Sequence, residues 1–139
     1  MTIAENTAAA PARAVWIIDS DELKRAQMQT ALVRHGYLVH GFEDVTSALT
    51  STAIAERLIV IIADRLANGC FVEGLDDLND MQEIALTIVT SSAGSIDGAV
   101  DAFRHGAQDY LLEPYSSFEL DDVIQRALEK ANKQDEIAA

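Results

Sequence analysis

The chain is nearly free of cysteine. Cys70 is the single one among 139 residues, which excludes an internal disulfide and offers no cysteine spacing for zinc. Long apolar runs are missing too: none approaches the roughly 18 to 20 residues that span a bilayer. The opening stretch, MTIAENTAAAPARA, has neither the basic start nor the continuous apolar segment of a secretory signal. Basic residues are scarce, 10 Lys and Arg against 23 Asp and Glu, for a formal net charge of -13. Such a balance disfavours binding to nucleic acid or anionic membranes, because both need cations to meet phosphates. Solubility explains most of the acidic surplus, and the rest points to partners with basic surfaces or to bound cations. A soluble, cytoplasmic protein is expected.

Apolar residues are not lacking. They make up 49% of the chain, enough for a core and too many for a disordered segment. The length fits one domain. Residues 1–13, small and Ala-rich with Pro11 near their end, read as a flexible arm. AVWII (14–18) is an apolar run stopped by Asp19 and has the pattern of a strand buried on both faces. In DELKRAQMQTALVRHG, residues Met28, Ala31, Leu32 and His35 fall at helical spacing, and Gly36 supplies a stop. YLVHGF (37–42) reads as a second strand, after which Asp44 can cap a helix running to about Glu56.

LIVIIA (58–63) is the strongest strand pattern and ends at Asp64. RLANGC is loop-like, and a helix is expected within 71–83. ALTIVTSS (85–92) is a fourth strand that ends in hydroxyls. Ile96, Ala99, Val100, Phe103 and Ala107 mark one helix face, and DYLL gives a fifth strand. Leu120, Val123, Ile124, Ala127, Leu128 and Ala131 then form the clearest amphipathic helix. NKQDEIAA (132–139) reads as a frayed tail, so the folded domain is expected over 14–131. Strand and helix alternate five times, which implies an α/β protein with a parallel sheet covered on both faces. Ligands in such folds bind outside the carboxyl ends of the strands.

Those ends carry Asp19-Ser20-Asp21, Asp64, Thr90-Ser91-Ser92 and Glu113-Pro114. Any one of them is explained by wet loops. A lone Asp directly after six apolar residues, opposite another Asp placed alike, is harder to explain that way and points to a shared pocket. VWIIDSDELKR, LIVIIAD and TIVTSSAGSIDGAVDAFRHGAQDYLLEPY resemble a response-regulator receiver domain of two-component phosphorelay signalling. The likeness covers about residues 14–131. It implies a flavodoxin-like (βα)5 doubly wound sheet in the order 2-1-3-4-5. It also implies Asp64 as phosphoacceptor, Asp19 as a magnesium ligand, Ser91 and Tyr110 as a coupled switch, and Pro114 as a cis-proline.

Two positions depart from the family. Ser20 stands where a second acid helps bind magnesium, and Glu113 stands where a lysine meets the phosphoryl oxygens. The proline four residues past the phosphoacceptor is also absent, with Asn68 in its place. Phosphoryl transfer needs its developing charge neutralised, and a Glu repels what a Lys attracts. Magnesium prefers hard oxygen ligands, and a hydroxyl is a weaker one than a carboxylate. An atypical receiver is therefore expected, with weak or absent Mg2+ and with phosphorylation of Asp64 impaired or lost. One alternative recruits Glu113, with Asp19, Asp64, Ser20 and Asp21, into a rearranged magnesium site. Arg65, read as a solvated loop residue, is a further source of positive charge.

A remote alternative is a haloacid-dehalogenase-like phosphatase with Asp19 as nucleophile and Asp21 as acid. The order of the later motifs and the chain length weigh against it, and no enzymatic activity is expected. The resemblance implies a histidine kinase or another signalling protein as partner. Mixed charge over 96–131, from Asp101, Glu119, Asp121, Asp122, Glu129, Arg104, Arg126 and Lys130, suits a homodimer face. No output domain follows in this sequence, so output is expected through a protein partner or a region outside it.

Overall fold

The computed structural model describes residues 14–51, 58–66, 69–80, 84–92 and 94–138. The five apolar runs form β1 (Ala14–Ile18), β2 (Leu38–Phe42), β3 (Leu58–Ala63), β4 (Ile84–Ser91) and β5 (Asp109–Leu112). They pair in parallel in the order β2-β1-β3-β4-β5. The helices are α1 (Glu22–Arg34), α2 (Val45–Leu49), α3 (Phe71–Asn79), α4 (Ile96–Arg104) and α5 (Ser117–Ala138). This is the flavodoxin-like arrangement anticipated above. No helix among the described residues is long and apolar enough to cross a membrane.

Successive strand residues point to opposite faces, so each buried strand feeds two cores. Val15 and Ile17 join Ile59, Ile61, Ile88, Leu111 and the α1 and α5 residues Met28, Leu32, Val123 and Ile124. Trp16 and Ile18 join Val60, Ile62, Val89, Leu75, Leu78 and Ala102 on the other face. Trp16 meets Phe42 edge-on with ring centroids 5.1 Å apart. β1 and β3 are therefore apolar without alternation because neither of their faces reaches water.

The helix starts are legible as caps. Asp21, Asp44 and Ser95 each accept from a backbone N–H in the first turn of α1, α2 and α4. Gly36, just after α1, sits at φ +93°, a conformation that closes helices and that side chains disfavour.

Several expectations change. The helix capped by Asp44 is described only to Leu49, and residues 52–57 lie outside the described residues. RLANGC contains a small antiparallel hairpin, Arg65–Leu66 against Gly69–Cys70, while Asn68 lies outside the described residues. The segment 132–138, expected as a frayed tail, continues α5 as helix. The apolar stripe of α4 turns away from the core. Ile96, Val100 and Phe103 are exposed, and the helix buries Ala102 instead. Small residues let α4 lie close to the sheet, and its large ones are left outside.

Candidate functional site

Backbone hydrogen bonds carry the sheet one residue past each strand and set the site's register. The N–H of Asp19 donates to Phe42 O at 3.0 Å, that of Asp64 to Thr90 O at 2.8 Å, and that of Glu113 to Ser91 O at 2.8 Å. The three acids therefore emerge side by side at the carboxyl edge. They line a cavity of about 190 Å³ together with Ser20, Asp21, Lys24, Arg65 and Ser92.

Each predicted residue has a definite place. Asp19 is 6% exposed, and its Oδ1 accepts from the Asp21 N–H at 2.9 Å. Burial raises its carboxyl pKa above the usual range, opposed by that N–H and by the Lys24 charge. Ser20 Oγ donates to Glu43 O at 3.1 Å, and Asp21 Oδ1 accepts from the Lys24 N–H at 3.1 Å. Ser91 is buried and donates its hydroxyl to Asp64 Oδ2 at 2.6 Å. The Tyr110 ring packs against the Trp16-side core, and its hydroxyl is buried without a hydrogen-bond partner among the described residues. The Glu113-Pro114 peptide is cis.

Two residues that the sequence reading passed over belong to the site. Lys24 Nζ lies 2.7 Å from Glu113 Oε1, and the Glu113 hydrogen bond is the main cause that raises the lysine's pKa. Its charge is also felt by Asp19 and Asp21. Arg25 Nη1 donates to Asp19 O at 2.6 Å and its stem covers Gly41, tying α1 to the ends of β1 and β2. A signal for both existed. A helix that starts directly after β1 points its first-turn side chains back over the strand ends.

Glu113 therefore does not meet the pocket as a bare negative charge. The cavity holds four carboxylates, Asp19, Asp21, Asp64 and Glu113, against two cations, Lys24 and Arg65. The donor set fits a magnesium ion poorly as it stands. Asp19, Ser20, Glu113 and Asp64 each have an oxygen engaged by a protein group. Among the described residues no three His, Cys, Asp or Glu side chains are grouped to hold a metal. The phosphatase pairing also lacks support, since Asp19 accepts from the Asp21 backbone and Asp21 caps its own helix.

The α5 charges divide. Arg126 reaches Asp122 at 3.1 Å and Asp109 at 3.9 Å. Asp121 instead accepts from the Tyr37 hydroxyl at 3.0 Å, so its carboxylate turns to the α1 side rather than to the face shared with α4. That face carries an apolar groove of about 320 Å³ lined by Ile96, Ala99, Phe103, Tyr110 and Leu112.

A 2-1-3-4-5 sheet with a buried-edge acidic pocket, a hydroxyl on its central carboxylate and an aromatic on the last strand defines a receiver-type signalling domain. No protein-family model matches the chain. The DNA-binding transcriptional regulator NtrC of Proteus hauseri is 32% identical over 127 residues, which is 86% of this chain and 25% of that protein. The crystal structure of NtrX from Brucella abortus superposes with a TM-score of 0.81 and 26% identity, over 91% of this chain and 29% of that one. A beryllofluoride-activated NtrC4 receiver domain dimer shares the fold, with a TM-score of 0.74 and 21% identity over 85% of this chain and 98% of that one. The chain belongs to the receiver domains of two-component response regulators. It spans about a quarter of the length of the first curated regulators it matches. Receiver domains are signalling modules rather than catalysts.

Proposed function

We propose that this receiver is atypical: it signals through protein contact, and Asp64 is phosphorylated poorly or not at all by the magnesium-assisted route. The observation that carries the reading is Glu113 at the end of β5, where the family's lysine would meet the phosphoryl group, in a cavity whose acids outnumber its cations. An incoming phosphoryl group adds negative charge to a site already short of positive charge. A histidine kinase or another signalling protein is the partner this implies, in the cytoplasm, with no direct nucleic-acid or membrane contact. The exposed Ile96, Phe103 and Leu112 around the α4–β5 groove support that face, within 96–131, as the contact surface or homodimer face.

The test is incubation with Mg2+ and acetyl phosphate or beryllofluoride, with Asp64→Asn as the blank and intact-mass or NMR detection. Little or no Asp64 adduct is expected, and ready formation overturns the reading. The second reading is a phosphorylation-competent receiver with Glu113 in its magnesium site. It is favoured by Ser91, whose hydroxyl already sits on Asp64 Oδ2. Adduct formation that requires Mg2+ and is lost in Glu113→Gln would select it.

A further inference from the structure

We propose that Lys24 is the resident cation of this pocket, and that its ammonium, tethered to α1, keeps divalent metal out. The inference rests on the atypical-receiver reading and deepens it by naming the group that replaces the metal. Lys24 stands in the first turn of α1, where the Asp21 cap holds its backbone N–H. Its side chain runs back over the strand ends to Glu113, 2.7 Å away, from the far side of the pocket. The Lys24 side chain is 42% exposed and that of Glu113 19%, and both line the pocket.

The charge is where a metal's charge would be useful. It shares the pocket with the Asp19 and Asp21 carboxylates. It further engages Glu113, an acid that could have replaced the carboxylate missing at Ser20. Magnesium sheds its waters reluctantly and demands near-octahedral oxygens. A cation already attached to the fold has no such cost, and its positive charge repels a second one.

The bridge also forms part of the wall between two spaces. Lys24 and Glu113 line the acidic pocket and a neighbouring cavity of about 350 Å³ bounded by Met28, Pro114 and Tyr115.

The experiment is a titration of the full chain with MgCl2, and with MnCl2 as a paramagnetic probe, followed by amide NMR at Asp19, Asp64 and Glu113. The wild type is expected to show no saturable response at millimolar metal. Lys24→Met, which keeps the stem and removes the charge, is expected to bind at least about a hundredfold more tightly, the worth of one unit charge roughly 5 Å away at an effective dielectric near 20. Lys24→Arg should still exclude metal. Should Lys24→Met not fold, Lys24→Gln serves the same purpose.

Saturable wild-type binding that is unchanged by Lys24→Met overturns the assignment, as does a charge-free variant that still binds no metal. Acetyl phosphate labelling is scored separately. Ready labelling of wild-type Asp64 in the presence of Mg2+ would sink the atypical reading yet leave the metal titration to decide Lys24.

Discussion

Tyr110→Phe should stabilise this protein, although it only removes an atom. The Tyr110 ring lies on β5 against the core shared with Trp16, Val60 and Val89, and the phenylalanine ring would occupy the same space. The hydroxyl is the liability. It is buried and meets no hydrogen-bond partner among the described residues. Its close neighbour is Gly98 of α4, where a Cβ would come within 3.0 Å of the phenolic oxygen. A buried hydroxyl without a partner costs about 1–3 kcal/mol of desolvation, and little packing is lost when it goes.

A gain of about 1 kcal/mol follows, or a rise in Tm of roughly 3–5 °C for a domain of this size. Urea unfolding at neutral pH should show the midpoint rise with an unchanged m-value, since the surface exposed on unfolding stays the same. The Ser91 and Asp64 amides should keep their NMR shifts, because the Ser91 hydroxyl reaches Asp64 and not Tyr110. A loss of 1 kcal/mol or more would refute the reasoning, since it would mean that the hydroxyl is well bonded.

Gly98→Ala should destabilise by about 1 kcal/mol despite the better helix propensity of alanine, because its Cβ would lie 2.8 Å from the Ser95 capping oxygen and 3.0 Å from the Tyr110 hydroxyl. Combining it with Tyr110→Phe should recover part of the loss, and strict additivity in a double-mutant cycle would count against the contact. Asp19→Asn should stabilise at neutral pH by on the order of 1 kcal/mol, because burial raises the carboxyl pKa and makes its ionised form costly in the folded state. With a raised folded-state pKa, the Asp19 contribution to stability is full in acid and lost as pH rises through that value. The asparagine's advantage should therefore vanish in acid and grow towards neutrality in urea titrations, and a flat difference would refute it. Glu113→Lys makes the pocket three carboxylates against three cations, and Asp64 labelling by acetyl phosphate should rise about tenfold or more even after solvent screening. Unchanged labelling would show that charge at 113 is not what limits the site.

Much of the architecture was legible in order of residues. AVWII and LIVIIA marked buried strands, and both stopped at a carboxylate that now lines the pocket. Asp44 and Asp64 were readable because capping and strand ends are local events, decided within a few residues. The α4 stripe shows the limit of periodicity. Ile96, Val100 and Phe103 share a helix face, and period reveals the face but not what lies against it.

The sequence by itself determined which elements form, that they alternate, and which side chains leave the strand ends. Only the tertiary structure decided who meets whom at that edge. Lys24 and Glu113 are far apart in the chain, and no local pattern links an α1 side chain to the end of β5. Parallel pairing of β3 with β4 and β4 with β5, and the seating of α1 over the strand ends, bring them to 2.7 Å. A charge that looks misplaced in the sequence is half of an ion pair in the fold, because electrostatic partners are chosen by distance in space and not by separation along the chain.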